Sequence, residues 1–151
     1  MDEEREDGFE PILMVPVGYL VRDAQGLDVA PGESPSIEAL RAQPVKIVIQ
    51  NRYADALLGL EEGADILVLC HLHRASRDVL QVHPRGDRSR PLRGVFATRS
   101  PVRPNPISVT TARILSIRGT ILDAVGLDVL DGTPILDIKH HSSYFDTPYE
   151  S

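Results

Sequence analysis

Residues 107–130 read ISVTTARILSIRGTILDAVGLDVL. Two strand-like runs, ISVTTARILSI (107–117) and TILDAVGLDVL (120–130), flank Arg118-Gly119, a pair that fits a two-residue hairpin turn. A hairpin here makes the neighbouring strands antiparallel, and similar runs lie on either side of it. DILVLCHLH (65–73) alternates with period two: Ile66, Val68, Cys70 and Leu72 face one way, Leu67, Leu69, His71 and His73 the other. The second face starts apolar and ends in two imidazoles, as in a strand that runs from a core to a cleft. VKIVIQ (45–50) is β-branched and alternating. ILMVPVGYLV (12–21) predicts a strand broken at Pro16, hence an edge or a bulge. ILDIK (135–139) predicts the last strand, after a turn at DGTP (131–134). Helices are few. SPSIEAL (34–40) can start one with Ser34 as cap and Pro35 in the first turn, ended by Pro44. NRYADALLGLEEG (51–63) predicts another of about two turns, with Asn51 as cap. There is no βαβαβ alternation and no early GxGxxG, which excludes a Rossmann fold. The expected fold is mainly β: a small antiparallel β-barrel with one or two short helices.

The composition suits one domain. The chain has 151 residues, 42% hydrophobic and 25% charged, enough to bury a core. Its single cysteine, Cys70, permits no internal disulfide and agrees with a cytoplasmic location. No apolar run approaches the roughly 20 residues of a membrane span. The acidic N-terminus MDEEREDGFE is unlike a signal peptide. The expected organisation is a disordered stretch at 1–10, the barrel domain at 11–142 and an irregular tail at 143–151. Net charge is −6, which excludes a general polyanion-coating protein. Yet eight of the sixteen basic residues fall between Arg74 and Arg103, with only Asp78 and Asp87 against them. Such a patch can hold one anionic partner.

Several groups invite chemistry. Cys70 sits mid-strand on an apolar face and reads as a small buried hydrophobe. Adjacent strand residues face opposite ways, so Cys70 and His71 do not share a metal, and no metal site is expected. Asp131-Gly132-Thr133-Pro134 has Val129 where a phosphatase nucleophile would stand, which leaves it a turn. The loop GVFATRSPVRPNPIS (94–108) is different. Pro101, Pro104 and Pro106 stiffen it, and it presents Arg99, Arg103 and Asn105 with little conformational freedom, as a binding site requires.

GVFATRSPVRPNPIS, followed some twenty residues later by GLDVLDGTPILDIK, resembles the TsaA-like, or TrmO (formerly YaeB), family. The resemblance covers about residues 45–140 well and the first strand loosely. It implies a small, non-Rossmann β-barrel methyltransferase. It further implies a cytoplasmic homodimer that uses S-adenosylmethionine to methylate N6 of a threonylcarbamoyl-modified adenosine beside the tRNA anticodon. The implied cofactor residues are His73, Arg74, Arg99, Val109, Asp131, Gly132, Thr133 and Pro134. A carboxylate on the cofactor suits Arg99 or Arg74. The proton of the acceptor nitrogen has three candidate takers, Asp131, His73 and Asp137. Arg85, Arg88 and Arg90 would meet RNA phosphates, with Arg103 and Asn105 toward the substrate or a second subunit, and Tyr144, Phe145 and Tyr149 available for stacking. Where the family has Arg-Ser-Pro near the end of its first strand, this chain has Tyr19-Leu20-Val21-Arg22-Asp23; its PNPIG appears as Pro104 to Ser108. Two other readings stay open: a methyltransferase of another RNA or of a small molecule, and a non-catalytic S-adenosylmethionine-binding protein.

Overall fold

The computed structural model describes residues 8–150. Among these residues eight strands form: β1 (Gly18–Val21), β2 (Val45–Ile49), β3 (Asp65–His71), β4 (Gln81–Val82), β5 (Arg93–Gly94), β6 (Ile107–Arg118), β7 (Ile121–Val125) and β8 (Pro134–His140). Six of them close a barrel in the order β1-β2-β7-β6-β3-β8, while β4 and β5 pair as a separate ribbon. All barrel pairings are antiparallel, and β8 returns to β1 to complete the ring. The expected mainly β barrel is therefore the fold observed. Among the described residues no helix is long and apolar enough to cross a membrane.

Period-two alternation decides what fills the barrel. Leu20, Ile47, Ile66, Val68, Cys70, Ile114, Leu122 and Ile135 are fully buried, each on an inward-facing position of its strand. Cys70 is among them, and burial pushes its thiol up to about 12. It is a neutral thiol at pH 7 and not a nucleophile.

The structure corrects several boundaries. The first strand starts at Gly18, and the apolar stretch before Pro16 lies outside the sheet, with Ile12 and Leu13 exposed. Pro16 has no N–H to give a ladder. Pairing starts one residue later, where the Val17 N–H donates to the Ile135 carbonyl and the Val17 carbonyl accepts from the Gln50 N–H. Nor is β1 an edge, since β2 and β8 flank it. The hairpin turn is shifted by one: Arg118 still pairs with Ile121, so Gly119-Thr120 turns, with Gly119 at φ +61°. β7 stops at Val125, short of residue 130. Gly126 ends it at φ +116°, and a Cβ there would meet the Thr111 carbonyl at 2.9 Å.

Helix α1 (Ile37–Ala42) is capped by Ser36, whose side chain accepts the Ala39 N–H, and not by Ser34. Residues Asn51–Leu57 form a 3-10 helix, tighter than the expected α-helix, and Asn51 lies inside it with Gln50 at the cap position. The expected disorder at 1–10 falls mostly on residues outside those described. Among its described residues the tail has no strand or helix, but Ser142 and Asp146 bond each other's chain, and Tyr144 packs edge-on to Phe145 at 5.0 Å.

Candidate ligand site at one end of the barrel

Four segments converge where β3 ends, β6 begins and β8 begins. They are the 72–75 turn, the proline loop, the 126–133 connection and α1. Between them lies a cavity of about 420 Å³, lined by His73, Arg74, Arg99, Asp131 and Thr133 among polar groups and by Leu72, Pro101 and Val129 among apolar ones. Five of the eight cofactor residues expected from the sequence thus share one cavity. Gly132, in the adjoining turn, and Pro134, at the start of β8, do not line it. Gly132 takes φ +78° and donates its N–H to the Leu20 carbonyl, and Thr133 Oγ1 donates to the Leu130 carbonyl at 2.6 Å. Val109 lines a neighbouring hollow instead, and its carbonyl accepts from Arg99 Nη1 at 3.1 Å.

That neighbouring hollow, about 530 Å³, lies over the start of β6 and is lined by Phe96, Arg99, Ser108, Val109, Thr110 and Asp128 among others. A third, about 800 Å³, lies under the β4–β5 ribbon and is ringed by Arg85, Arg88, Arg90, Arg93 and Arg99. Arg99 lines all three. The ribbon is shaped by an Asx-type turn at Asp87, whose carboxylate accepts the Ser89 N–H and hydroxyl, and by Arg85 at φ +56°.

The proline loop is as rigid as its composition implies, but for an added reason. Arg103 Nη1 donates to the carbonyls of Thr98 and Ser100, its own N–H donates to the Ser76 carbonyl, and Arg77 donates to the Pro104 carbonyl and Asn105 Oδ1. Arg103 and Asn105, expected to face substrate or a second subunit, therefore spend polar atoms on holding the loop. Asp137 is corrected more sharply. It lines an apolar hollow with Tyr53, Leu57 and His140, not the 420 Å³ cavity, and pairs with Lys139 at 2.9 Å. It stands three residue steps from Pro134, roughly 10 Å along β8, so it is not grouped with His73 and Asp131.

Sequence reasoning missed three residues here. Arg22 is only 5% exposed. Its Nε donates to the Val129 carbonyl, Nη1 to the Leu40 carbonyl and Gln43 Oε1, and Nη2 to the Leu127 carbonyl, at 2.8–3.1 Å. Its backbone N–H donates to Asp131 Oδ1 at 2.8 Å. One side chain thereby ties β1, α1 and the 127–131 wall of the cavity together. Burial lowers its pKa and the charges of Asp128 and Asp131 oppose that shift. Asp128 lines both the 420 and the 530 Å³ spaces, its Oδ1 accepting from Thr110 Oγ1 at 3.1 Å. Ser108 also lines both, and its Oγ is buried with no hydrogen-bond partner beyond the Cys70 thiol beside it. All three stand in the stretches already singled out: the variant first-strand end, GLDVLDGTP and PNPIS. That was the signal available.

A closed antiparallel barrel with a cavity at one end, built by loops and lined by two arginines, two aspartates and apolar walls, defines a small β-barrel ligand-binding protein, distinct from nucleotide-binding α/β folds. The chain belongs to the family of the tRNA-methyltransferase O N-terminal domain, whose model matches residues 30–147. It is 43% identical over 115 residues to a probable S-adenosyl-L-methionine-binding protein of Methanothermobacter thermautotrophicus, covering 76% of this chain and 82% of that one. It is 33% identical over 140 residues to the mouse tRNA (adenine(37)-N6)-methyltransferase, covering 91% of this chain and 32% of that protein. The crystal structure of TrmO from Pseudomonas aeruginosa is similar with a TM-score of 0.66 at 26% identity, over 94% of this chain and 61% of that one.

Proposed function

We propose that this chain binds S-adenosylmethionine in the 420 Å³ cavity and transfers its methyl group to N6 of a threonylcarbamoyl-modified adenosine beside a tRNA anticodon. The observation that carries the reading is that residues distant in sequence, and implied by family resemblance alone, line one cavity: His73, Arg74, Arg99, Asp131 and Thr133. The names of the relatives support the cofactor and, more coarsely, N6 of a tRNA adenine as the acceptor.

The cavity's chemistry fits the cofactor. Its volume lies within the usual range for a small-molecule site, roughly 300–1,000 Å³. Arg74 and Arg99 offer guanidinium forks for a carboxylate. Leu72, Pro101 and Val129 offer apolar walls for a heterocycle. The Ser108 hydroxyl, without a partner other than a thiol, has a hydrogen bond to give. When bound, the cofactor supplies an electrophilic methyl on a sulfonium with a thioether leaving group. The protein's task is then mainly orientation and exclusion of water. The pinned 127–131 segment and the clamped proline loop provide fixed walls for that.

The arginine-ringed hollow beside the cavity suits RNA phosphates. Neutralising Arg85, Arg88 and Arg90 together is expected to weaken tRNA binding and flatten its salt dependence by a log–log slope of roughly 2–3, cofactor affinity being unchanged. Filter binding across a salt series measures it. Arg99→Lys keeps charge but loses the fork, and is expected to cost about 1–2 kcal/mol of cofactor affinity, Arg99→Ala at least as much. Calorimetry reads the affinity; apo melting temperature stays close to that of the parent, because Arg99 is exposed and makes one bond, to Val109. A cytoplasmic homodimer completes the reading, and light scattering tests it: a 16.6 kDa species alone at micromolar concentration would count against the dimer.

A second reading, a binding protein that senses the cofactor without turnover, is favoured by the archaeal relative named only for binding. Radiolabelled methyl transfer to bulk tRNA separates the two. Label on the RNA with S-adenosylhomocysteine accumulating supports the enzyme; tight cofactor binding without transfer supports the sensor.

A further inference from the structure

We propose that the 530 Å³ hollow is the acceptor site: it takes a purine base turned out of its stack, with Phe96 as the stacking face and Asp128 as the group that receives the departing proton. This rests on the methyltransferase reading above.

The hollow and the cofactor cavity share a wall made of Leu72, Arg99, Ser108 and Asp128. Methyl transfer needs donor and acceptor on opposite sides of one short gap, and this wall is where the two spaces meet. Asp128 is the one acid that lines both; Asp131 and His73 line the cofactor cavity only. Thr110 Oγ1 fixes the carboxylate through Oδ1, and Oδ2 has no hydrogen-bond partner among the described residues. An acceptor-only group held in one orientation beside the transfer axis is suited to take a proton. Asp131 is likewise held through one oxygen, by the Arg22 N–H, but it does not reach the 530 Å³ hollow.

The rim supplies the second element. Phe96 lies in the 3-10 turn Val95–Ala97 that follows β5 and stands 83% exposed on the lining of the hollow, in a chain with three phenylalanines and no tryptophan. A phenyl ring held out in solvent beside a cavity, with Arg41 and Arg99 on the same lining, is the arrangement that holds an extruded base between a π-face and cations.

The step balances. The acceptor's exocyclic nitrogen forms its bond to the methyl carbon as the carbon–sulfur bond breaks, the bonding pair leaving with sulfur. The nitrogen's proton passes to Asp128 Oδ2 and then to solvent. No further reactant is needed.

The experiment compares wild type, Asp128→Asn, Phe96→Ala, Phe96→Tyr and Thr110→Val in the full chain. Calorimetry without RNA gives affinities for S-adenosylmethionine and S-adenosylhomocysteine; methyl transfer to tRNA gives kcat and KM. For Asp128→Asn both affinities should stay within about twofold while kcat falls roughly a hundredfold or more. Phe96→Ala should raise KM for tRNA about tenfold with cofactor affinity unchanged, and Phe96→Tyr should restore it. Thr110→Val should lower kcat about fivefold without touching cofactor affinity, and it decides the matter if Asp128→Asn does not fold. Loss of S-adenosylmethionine affinity in Asp128→Asn would make Asp128 a cofactor ligand and overturn the assignment. So would a kcat within threefold of wild type for Asp128→Asn, an unchanged kcat for Thr110→Val, or an unchanged KM for Phe96→Ala. If wild type neither binds cofactor nor transfers methyl, the methyltransferase reading itself fails and carries this inference with it; active wild type with unaffected variants sinks this inference alone.

Discussion

Arg22→Ala is expected to lower stability by about 3–5 kcal/mol, the range for removing one partner of a buried, fully bonded charged group. The carbonyls of Leu127 and Val129 would lose the guanidinium donor, that of Leu40 would keep only the Gln43 N–H, and each buried acceptor left alone costs roughly 1–3 kcal/mol before water enters. The melting temperature should fall by roughly 10 °C. Urea unfolding checks this, with the midpoint moving and the slope constant. Arg22→Lys should recover only part of the loss, because an ammonium cannot span acceptors on two segments as the planar fork does. An unmoved midpoint in Arg22→Ala would mean that water replaces the guanidinium without cost. Cofactor binding should weaken too, since the segment that Arg22 pins forms the cavity's wall.

The second large effect lies at Gly18. A Cβ added there would run into the backbone carbonyl of Val48 and stand 3.0 Å from Ile49 Cα. Backbone in β2 cannot turn aside as a side chain can, so β1 and β2 would have to part where Gly18 pairs with Ile49. Gly18→Ala is expected to cost about 3 kcal/mol, at the upper end for overpacking. Gly18→Val should prevent folding. Ala at Gly119, where no atom lies within 4 Å of the added Cβ but φ is +61°, is the control: it should cost about 1 kcal/mol, from backbone conformation alone. Equal losses at the two glycines would remove the packing explanation.

Much of the fold was legible because inward and outward residues alternate. Ile66, Val68 and Cys70 on one strand and Ile47 on another announce a half-buried sheet, and the tight turn between β6 and β7 makes that pair antiparallel. What was not legible depends on partners distant in sequence. Nothing in GYLVRD says that Arg22 turns inward, since an arginine at a strand end is ordinarily solvated; three carbonyls from residues 40, 127 and 129 make the difference. Nothing in SPSI chooses Ser36 over Ser34 as a cap, because both precede good helix formers. The site divided in the same way. Motif resemblance brought His73, Arg74, Arg99, Asp131 and Thr133 to one place, whereas acid chemistry alone suggested Asp137, which the rise of β8 carries to another hollow. Asp128 was passed over although it sits three residues before Asp131, because its significance is geometric: it lies between two spaces that sequence cannot draw.

The ring closure of β8 onto β1 has one more consequence, for amide hydrogen exchange. An open sheet frays from its outer strands, and exchange follows that fraying. Here every barrel strand has a neighbour on both sides. Amides in β2, β3, β6 and β7 should exchange only when the whole ring opens, at rates set by global stability. The two-residue strands β4 and β5 and the chain between them have no such support and should exchange orders of magnitude faster. The molecule would then show two clocks, a slow one for the scaffold and a fast one for the arginine ribbon, and a ligand that seats on the ribbon should slow the second without touching the first.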